Sequence, residues 1–171
     1  MAEYIIAVDE FDNEIGSIEK MEAHRKGTLH RAFSILVFNS KNQLLLQKRN
    51  VKKYHSPGLW TNTCCSHPRY GESLHDAIYR RLKEEMGFTC ELEEVFSFIY
   101  KVKLEDNLFE NEYDHVFIGK YDGEIIVNKD EVDDFKWVDI NEVKKDIIER
   151  PEAYTYWFKY LVNKAENKIF K

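Results

Sequence analysis

The segment GESLHDAIYRRLKEEMGF, residues 71–88, is the strongest structural signal in this sequence. Its apolar side chains recur at helical spacing, at Leu74, Ile78, Leu82 and Met86. Such a period predicts one amphipathic helix with an apolar stripe. Ser73 has the side chain that a helix amino end prefers, and Gly87 is typical of the position just past a helix end. Both ends of the predicted helix are therefore marked.

The last turn of this predicted helix carries an unfavourable charge. Glu84 and Glu85 come immediately before the helix end, where negative charge opposes the helix macrodipole at a cost of roughly 0.3–1 kcal/mol each. Arg80 and Arg81 are spaced to pair with them one turn away. Two explanations stay open: the four side chains form a self-paired, solvated face, or a bound cation compensates the carboxylates.

Period-2 or β-rich segments surround the helix. They are Tyr4–Val8, 32–39, 43–48, 59–63, 94–104, 113–121 and 132–138. The tail, residues 141–170, is typical of two helices broken at Pro151. This order of elements predicts an α/β sandwich with a mixed central sheet, an N-terminal hairpin and C-terminal helices. No linker divides the chain, so we expect a single domain, 1–171.

Composition and charge exclude several classes of function. With 171 residues, 43% of them hydrophobic, the chain is long enough to bury a core without metals or disulfides. Its net charge of −6 argues against nucleic acid and anionic membranes as partners. We find no apolar run of membrane-spanning length, and MAEYIIAVDE at the start does not resemble a signal peptide. Three cysteines, an odd number, predict no disulfide framework, so we expect a reducing cytoplasm.

The segment WTNTCCSHP, residues 60–68, combines two adjacent cysteines with a histidine and a proline. If this segment is extended, Cys65 and His67 point to the same side, because alternate residues share a face. Cys64 then points to the opposite face, and we assign it a structural role. For Cys65, residue type alone leaves a buried structural thiol as the alternative to a reactive one.

Carboxylates and histidines elsewhere offer metal-binding chemistry. Glu110 and Glu112 share one face if their segment is a strand, and an exposed polar face is the alternative. His24 and His30 flank a short polar loop, HRKGTLH. With His67 they supply three imidazoles and two carboxylates, a plausible set for a six-coordinate divalent ion. Their spacing alone does not establish such a site.

Residues 66–88 resemble the Nudix box, a loop–helix–loop that binds Mg²⁺ and diphosphate. The matching positions are Glu72, Arg80, Leu82, Glu84, Glu85, Gly87 and Phe88. Ser66 stands where the box has its first glycine, and Arg81 stands where it has the glutamate of its Arg-Glu pair. Loss of that carboxylate weakens the interpretation as a hydrolase, whereas an arginine still binds phosphate oxygens well.

Further segments of the sequence indicate which group of Nudix proteins the chain resembles. TNTCCSHP, HRAFSILVFN, LLLQKR, PGLWTN and ENEYDHVFIG are together similar to type I isopentenyl-diphosphate isomerases, Nudix relatives that perform no hydrolysis. The likeness spans residues 16–157 and implies a Nudix-type α/β/α sandwich. It also implies an isomerase of isoprenoid biosynthesis, which interconverts isopentenyl and dimethylallyl diphosphate by protonation and deprotonation through a carbocation-like state. No redox cofactor is implied.

The resemblance assigns roles to individual residues. Cys65 and Glu112 match the two proton-transfer residues. Trp157 matches an aromatic residue beside the alkene, where cation–π attraction stabilises positive charge. Tyr100 matches a hydroxyl position from which it could hydrogen-bond the carboxylate or the sulfur. The matched diphosphate-binding residues are Lys20, Arg49, Lys53 and Arg81.

Two metal sites follow from the same resemblance. An inner Mn²⁺ or Zn²⁺ would be bound by His24, His30, His67, Glu110 and Glu112. A Mg²⁺ that helps to hold the diphosphate would be bound by Glu85 and by the backbone carbonyl of Cys65. The N-terminal hairpin and the C-terminal helices are expected to cover the pocket, because water would capture an exposed carbocation.

The expected partner is a small diphosphate substrate, with neither nucleic acid nor membrane, and the expected assembly is a monomer or a dimer. Two other classes of protein stay open. A Nudix hydrolase would cleave a nucleoside diphosphate derivative and would prefer glutamate at position 81. A catalytically silent Nudix domain would bind diphosphate without turnover, which would leave Cys65 and Glu112 unexplained.

Overall fold

A mixed β-sheet forms the centre of the fold. The computed structural model describes residues 2–166 and 168–169, so the predicted helix end at 170 and the domain ends at 1 and 171 lie outside the described residues. The strands are β1 (Tyr4–Val8), β2 (Glu14–Glu19), β3 (His30–Phe38), β4 (Gln43–Arg49), β5 (Trp60–Thr61), β6 (Cys64–Ser66), β7 (Leu92–Lys103), β8 (Phe109–Lys120) and β9 (Val132–Asp139). The helices are α1 (Lys20–Lys26), α2 (Leu74–Met86), α3 (Ile140–Glu149) and α4 (Tyr156–Ala165). Within the described ranges, no helix is long and apolar enough to cross a membrane.

The predicted central helix is confirmed as α2. The Ser73 hydroxyl accepts a hydrogen bond from the Asp76 amide at 3.0 Å, which satisfies a free N–H of the first turn. At the other end Gly87 adopts left-handed backbone with φ of 78°, and its amide donates to the Lys83 carbonyl. The two predicted terminal helices are present as α3 and α4, with a 3-10 turn at Pro151–Ala153 between them.

Strand β3 is the centre of the sheet. It pairs in parallel with β8, where His30 lies opposite Glu112. On its other side it pairs antiparallel with β6, where Ser34 lies opposite Cys65. Strand β7 pairs with β8, β9 pairs with β4, and β1 and β2 form the predicted N-terminal hairpin. A parallel pair within an otherwise antiparallel arrangement confirms the predicted mixed sheet.

The two faces of the sheet are covered by different helices. Alternate residues of β3 point to opposite faces, so Phe33 and Ile35 pack with residues of α2 whereas Leu36 packs with residues of α4. Cys64 belongs to the α2 side and Cys65 packs on the α4 side. The predicted α/β/α sandwich is confirmed, and the two neighbouring thiols lie on opposite faces as expected.

Several short elements differ from the prediction. The strand predicted at 59–63 is present but shorter, because only Trp60–Thr61 form β5 before the chain turns. In this turn the side chains of Asn62 and Thr63 donate hydrogen bonds to backbone carbonyls, which replaces the ladder bonds of a longer strand. Strand β6 and helix α1 were not predicted as separate elements, and β2 was predicted only as part of the N-terminal hairpin. His24 therefore lies in a helix rather than beside a loop.

Gly87→Ala is expected to destabilise the fold through strain and steric overlap together. A Cβ at this position would lie 2.1 Å from the Ile126 carbonyl oxygen. Gly71→Ala is the matched control, because Gly71 also has a positive φ but no described atom within 4 Å of the Cβ position. Backbone strain alone costs roughly 1–3 kcal/mol, so in urea titrations Gly87→Ala should lose clearly more unfolding free energy than Gly71→Ala. Equal losses would contradict the overlap.

Candidate active site and metal centre

One cleft brings most of the predicted site residues together. Including the solvent space at its open mouth, it holds about 520 Å³. Its walls are formed by Lys20, Phe33, Arg49, Lys53, Tyr54, His55, Cys65, Ser66, His67, Arg81, Glu85, Glu110, Glu112 and Trp157. Of the predicted site residues, His24, His30 and Tyr100 do not line it. The β1–β2 hairpin contributes none of the described wall residues, whereas α4 contributes Trp157.

Three histidines and a glutamate converge beside this cleft. His24 comes from α1, His30 begins β3, His67 follows β6 and Glu110 lies in β8. One ligand atom from each residue lies within 4.8 Å of the others, and all four side chains are buried. Glu19 fixes the start of α1 by accepting hydrogen bonds from two amides of its first turn. The group contains four of the five predicted inner-metal ligands.

The backbone orients the rings of two of these histidines. Nδ1 of His24 lies 2.7 Å from the Lys20 carbonyl and Nδ1 of His30 lies 2.8 Å from the Thr28 carbonyl. A carbonyl only accepts, so each Nδ1 donates, and the other ring nitrogen, Nε2, faces the cluster.

The atoms inside the cluster lack the partners that buried polar atoms normally have. His30 Nε2 and Glu110 Oε2 are buried without a hydrogen-bond partner among the described residues. His24 Nε2 lies 3.4 Å from Glu110 Oε1. An imidazole nitrogen and a carboxylate oxygen this close share a proton or a cation between them. The donor set therefore fits a divalent cation.

Glu112 lies beside this group and contacts two of its histidines. Its Oε2 is 2.8 Å from His67 Nε2 and 3.5 Å from His30 Nε2. Burial lowers the pKa of His67 to about 3, so this imidazole is neutral at pH 7. Burial and the Glu110 charge act to raise the pKa of Glu112, but its contacts with His30 and His67 outweigh them and hold it below its usual value. Glu112 is therefore ionised.

Cys65 brings the second predicted proton-transfer group to the same cleft. Burial raises the pKa of its thiol to about 12, and the charges of Glu85 and Glu112 act in the same direction while Arg49 opposes them. The thiol therefore keeps its proton at pH 7. A protonated thiol and an ionised carboxylate in one cleft hold a single transferable proton between them.

The two predicted aromatic residues are placed differently. Trp157 is only 5% exposed, lines the cleft, and has the guanidinium of Arg49 at 5.1 Å from its ring centroid. Tyr100 lies opposite Glu112 in the β7–β8 register. Its buried hydroxyl has no hydrogen-bond partner in the described part of the chain, so the expected bond to the carboxylate or the sulfur is absent.

Four basic side chains from four separate segments surround the cleft, namely Lys20, Arg49, Lys53 and Arg81. Burial lowers the pKa of Lys20, and the other three cations lower it further although Glu3 acts against them. Like charges so close together repel, and a bound dianion would relieve that repulsion. All four predicted diphosphate-binding residues are thus brought to one cleft.

Glu131 orients two of these cations and was not predicted. Its carboxylate accepts hydrogen bonds from Arg81 at 2.7 Å and from Lys53 at 3.3 Å. It lies 50 residues from Arg81 in sequence, so no local spacing links the two. The contact forms only when the segment before β9 packs against α2.

The two carboxylates at the end of α2 differ in their surroundings. Glu84 pairs with Arg80 at 3.2 Å and with Arg81 at 2.7 Å, as the self-paired explanation expects. Glu85 is buried, lines the cleft and lies 3.5 Å from Arg81, so the cation explanation stays open for it. The Cys64 thiol donates to Glu85 at 3.0 Å. Cys64 is therefore more than the packing residue that we expected.

Three more residues of this region were not predicted. Tyr54 and His55 line the cleft from an irregular loop between β4 and β5, which has no periodic pattern. Asp114 continues the face of Glu112 in β8 and accepts a hydrogen bond from the Ser34 hydroxyl at 2.8 Å. Burial and the Glu112 charge raise its pKa well above the usual value. Alternate spacing after the ENE segment was the signal that could have identified Asp114.

Comparison with known proteins places the chain in a family. A NUDIX domain model matches residues 28–158. The chain is 57% identical over 163 residues to Isopentenyl-diphosphate Delta-isomerase 2 of Photorhabdus laumondii subsp. laumondii. That alignment covers 95% of this chain and 92% of that protein. The chain is 54% identical over 157 residues to Isopentenyl-diphosphate Delta-isomerase 2 of Aromatoleum aromaticum, with coverage of 92% and 83%.

A solved structure gives the same fold. DR0079 from Deinococcus radiodurans superposes with a TM-score of 0.80 at 20% identity, and the match covers 95% of this chain and 98% of that one. At this identity the likeness shows the fold alone. The sequence matches go further, because they extend over nearly the whole chain. The chain belongs to the isopentenyl-diphosphate Delta-isomerases of the Nudix superfamily.

Proposed function

We propose that this chain interconverts isopentenyl and dimethylallyl diphosphate by adding one proton to the carbon skeleton and removing another. The observation that carries the proposal is the pair of groups in the cleft. Cys65 keeps a proton that Glu112 lacks, and both side chains line the same space. A hydrolase needs neither a buried thiol nor a proton shared in this way.

The proton balance of the reaction matches this pair. One group donates a proton to the terminal methylene carbon, and the double bond's electrons form the new C–H bond, which leaves positive charge on the tertiary carbon. The other group removes a proton from the carbon next to the one that bears the diphosphate, and that C–H electron pair forms the new double bond. One proton enters and one leaves, so Cys65 and Glu112 exchange roles with the direction of the reaction.

Trp157 supports the charged state of the carbon skeleton. Its indole lines the cleft and is almost fully buried. Attraction between a cation and a desolvated indole ring contributes about 2 kcal/mol. The guanidinium of Arg49 lies 5.1 Å from the centroid of this ring, so the face of the indole is accessible to a positive group.

The metal assignments are part of the same proposal. His24, His30, His67 and Glu110 would hold an inner Mn²⁺ or Zn²⁺ together with Glu112, and Glu85 with the Cys65 carbonyl would hold Mg²⁺ near the diphosphate. When bound, such cations supply positive charge that keeps ligating carboxylates ionised and neutralises phosphate oxygens. The chain's own contribution is to fix the ring and carboxylate orientations.

Glu131→Gln is expected to weaken substrate binding more than turnover. The carboxylate holds Arg81 and Lys53 in place, and an amide accepts from a guanidinium more weakly than a carboxylate does. We expect KM for isopentenyl diphosphate to rise about tenfold, equivalent to about 1.4 kcal/mol, with kcat nearly unchanged. Asp130→Asn is the control, because Asp130 is exposed and adjacent. A lower kcat at unchanged KM would argue against an orienting role.

A single labelling experiment tests the function. The protein is incubated with isopentenyl diphosphate and Mg²⁺ in D₂O, and the products are analysed by NMR. We expect deuterium in the dimethylallyl product. Release of phosphate without isomerisation would select the hydrolase, and diphosphate binding without any product would select the catalytically silent domain.

The remaining parts of the proposal concern assembly and location. We propose a monomer that acts on a small diphosphate in the cytoplasm without nucleic acid. Analytical ultracentrifugation distinguishes a monomer from a dimer. A sedimentation coefficient that rises with protein concentration would contradict the monomer.

A further inference from the structure

His55 is a buried histidine on the cleft side of the proposed metal centre. It lies in the loop between β4 and β5, and its side chain is 8% exposed. Its Nε2 is 3.0 Å from Glu110 Oε1. The ring stacks on His24 with centroids 5.6 Å apart and meets the Trp157 ring edge-on at 5.6 Å. It therefore fills the space between the metal cluster and the aromatic wall.

This histidine differs from the three that converge on the cluster. One atom each of His24, His30, His67 and Glu110 lies within 4.8 Å of the others, and His55 is not a member of that group. No backbone carbonyl binds its Nδ1, which is buried without a partner among the described residues. A carboxylate oxygen only accepts, so the short contact to Glu110 requires a hydrogen on Nε2 of His55.

The contact with His55 makes the two oxygens of Glu110 differ in their surroundings. Oε1 lies 3.0 Å from His55 Nε2 and 3.4 Å from His24 Nε2. Oε2 is buried and has no hydrogen-bond partner in the described ranges. A carboxylate held at one oxygen by His55 cannot rotate freely, so its orientation towards the histidine cluster is fixed. This arrangement matches the general rule that outer hydrogen bonds orient metal ligands.

We propose that His55 is a positioning residue that fixes the Glu110 carboxylate in the orientation in which it meets the cation. The inference rests on the metal centre of the proposed function and adds a residue that none of the motif matches included. His55 is itself held in place by Arg49, whose guanidinium donates to the His55 carbonyl at 3.1 Å and to the Ser56 carbonyl at 3.3 Å. One loop thus links a diphosphate-binding side chain to a metal ligand.

The test measures metal affinity of the full chain, independently of turnover. Metal is removed with a chelator, and Mn²⁺ binding is then measured by competition with a chelating dye. We expect His55→Phe, which keeps the ring and loses the donor, to bind Mn²⁺ about 10–100-fold more weakly. His55→Gln, which keeps an N–H donor, should recover much of that loss. His75→Phe is the matched control and should bind as the unaltered protein does, because His75 is 78% exposed on α2.

The outcomes separate the positioning role from its alternatives. Equal Mn²⁺ affinity of His55→Phe and the unaltered protein would overturn the inference while leaving the metal centre intact. If the unaltered protein bound no Mn²⁺ or Zn²⁺, the metal centre itself would fail. X-ray absorption of the Zn²⁺ form counts the imidazole ligands. We expect three in the unaltered protein and three in His55→Phe. Four ligands in the unaltered protein and three in His55→Phe would make His55 a direct ligand and overturn the positioning role. Far-UV circular dichroism of the metal-free variants checks that each one folds.

Discussion

Cys65→Ala is expected to abolish isomerisation while diphosphate binding persists. The variant removes the only thiol that lines the cleft among the described residues, and general acid–base groups contribute about 10²–10⁴-fold to rate. We therefore expect kcat to fall by at least this factor, with no deuterium in the product when the reaction is run in D₂O. The basic residues of the cleft are unchanged, so the affinity for inorganic diphosphate should stay within about twofold, or 0.4 kcal/mol.

Two other cysteines serve as controls for this prediction. Cys90→Ala should be as active as the unaltered protein, because Cys90 does not line the cleft. Cys64→Ala should lose more unfolding free energy than the lost packing contacts account for. The Cys64 thiol donates to Glu85, and its removal leaves a buried carboxylate oxygen with one partner fewer. If Cys65→Ala isomerised the substrate as fast as Cys90→Ala does, the Cys65 thiol would have no part in the mechanism.

Glu112→Gln is expected to lower both turnover and occupancy of the inner metal centre. Glutamine keeps the shape of the side chain but cannot remove a proton, so kcat should fall about 10²–10⁴-fold. It also removes a negative charge that lies 2.8 Å from His67 and 3.5 Å from His30. We expect Mn²⁺ affinity to fall about tenfold or more in the same protein.

The measurement pairs rate with metal content, because the two roles of Glu112 are separable. Glu93→Gln, an exposed substitution on the neighbouring strand β7, should leave both quantities unchanged. Loss of turnover at full metal occupancy would leave Glu112 as a proton-transfer group only. Full turnover with an empty inner centre would contradict both roles.

Local signals were enough to predict the main elements. Both ends of α2 are marked by its own residues, Ser73 and Gly87, and its apolar stripe needs no knowledge of the partner surface. Alternation predicted that Glu110 and Glu112 share a face of β8, and the structure places both side chains in the interior. Period and capping act over a few residues, so they can be read from one sequence.

The parts that were missed depend on contacts between distant segments. Helix α1 has only seven residues, too few for a clear period, and it is stabilised by the Glu19 cap and by burial of His24. The turn at Asn62 and Thr63 exists because their side chains reach carbonyls of other strands. His55 and Glu131 meet their partners only after the sheet and α2 are assembled. Resemblance supplied the ligand set, but it did not supply these supporting contacts.

The parallel pairing of β3 with β8 has a consequence for the order of events during synthesis. This pairing sets His30 opposite Glu112, although a long stretch of chain separates the two strands. As the polypeptide leaves the ribosome, the early part exposes imidazoles without carboxylate neighbours to complete their coordination shell. In the proposed metal centre, Glu110 and Glu112 join the histidines only when β8 has docked on β3, so metal uptake would report that this non-local pairing is finished.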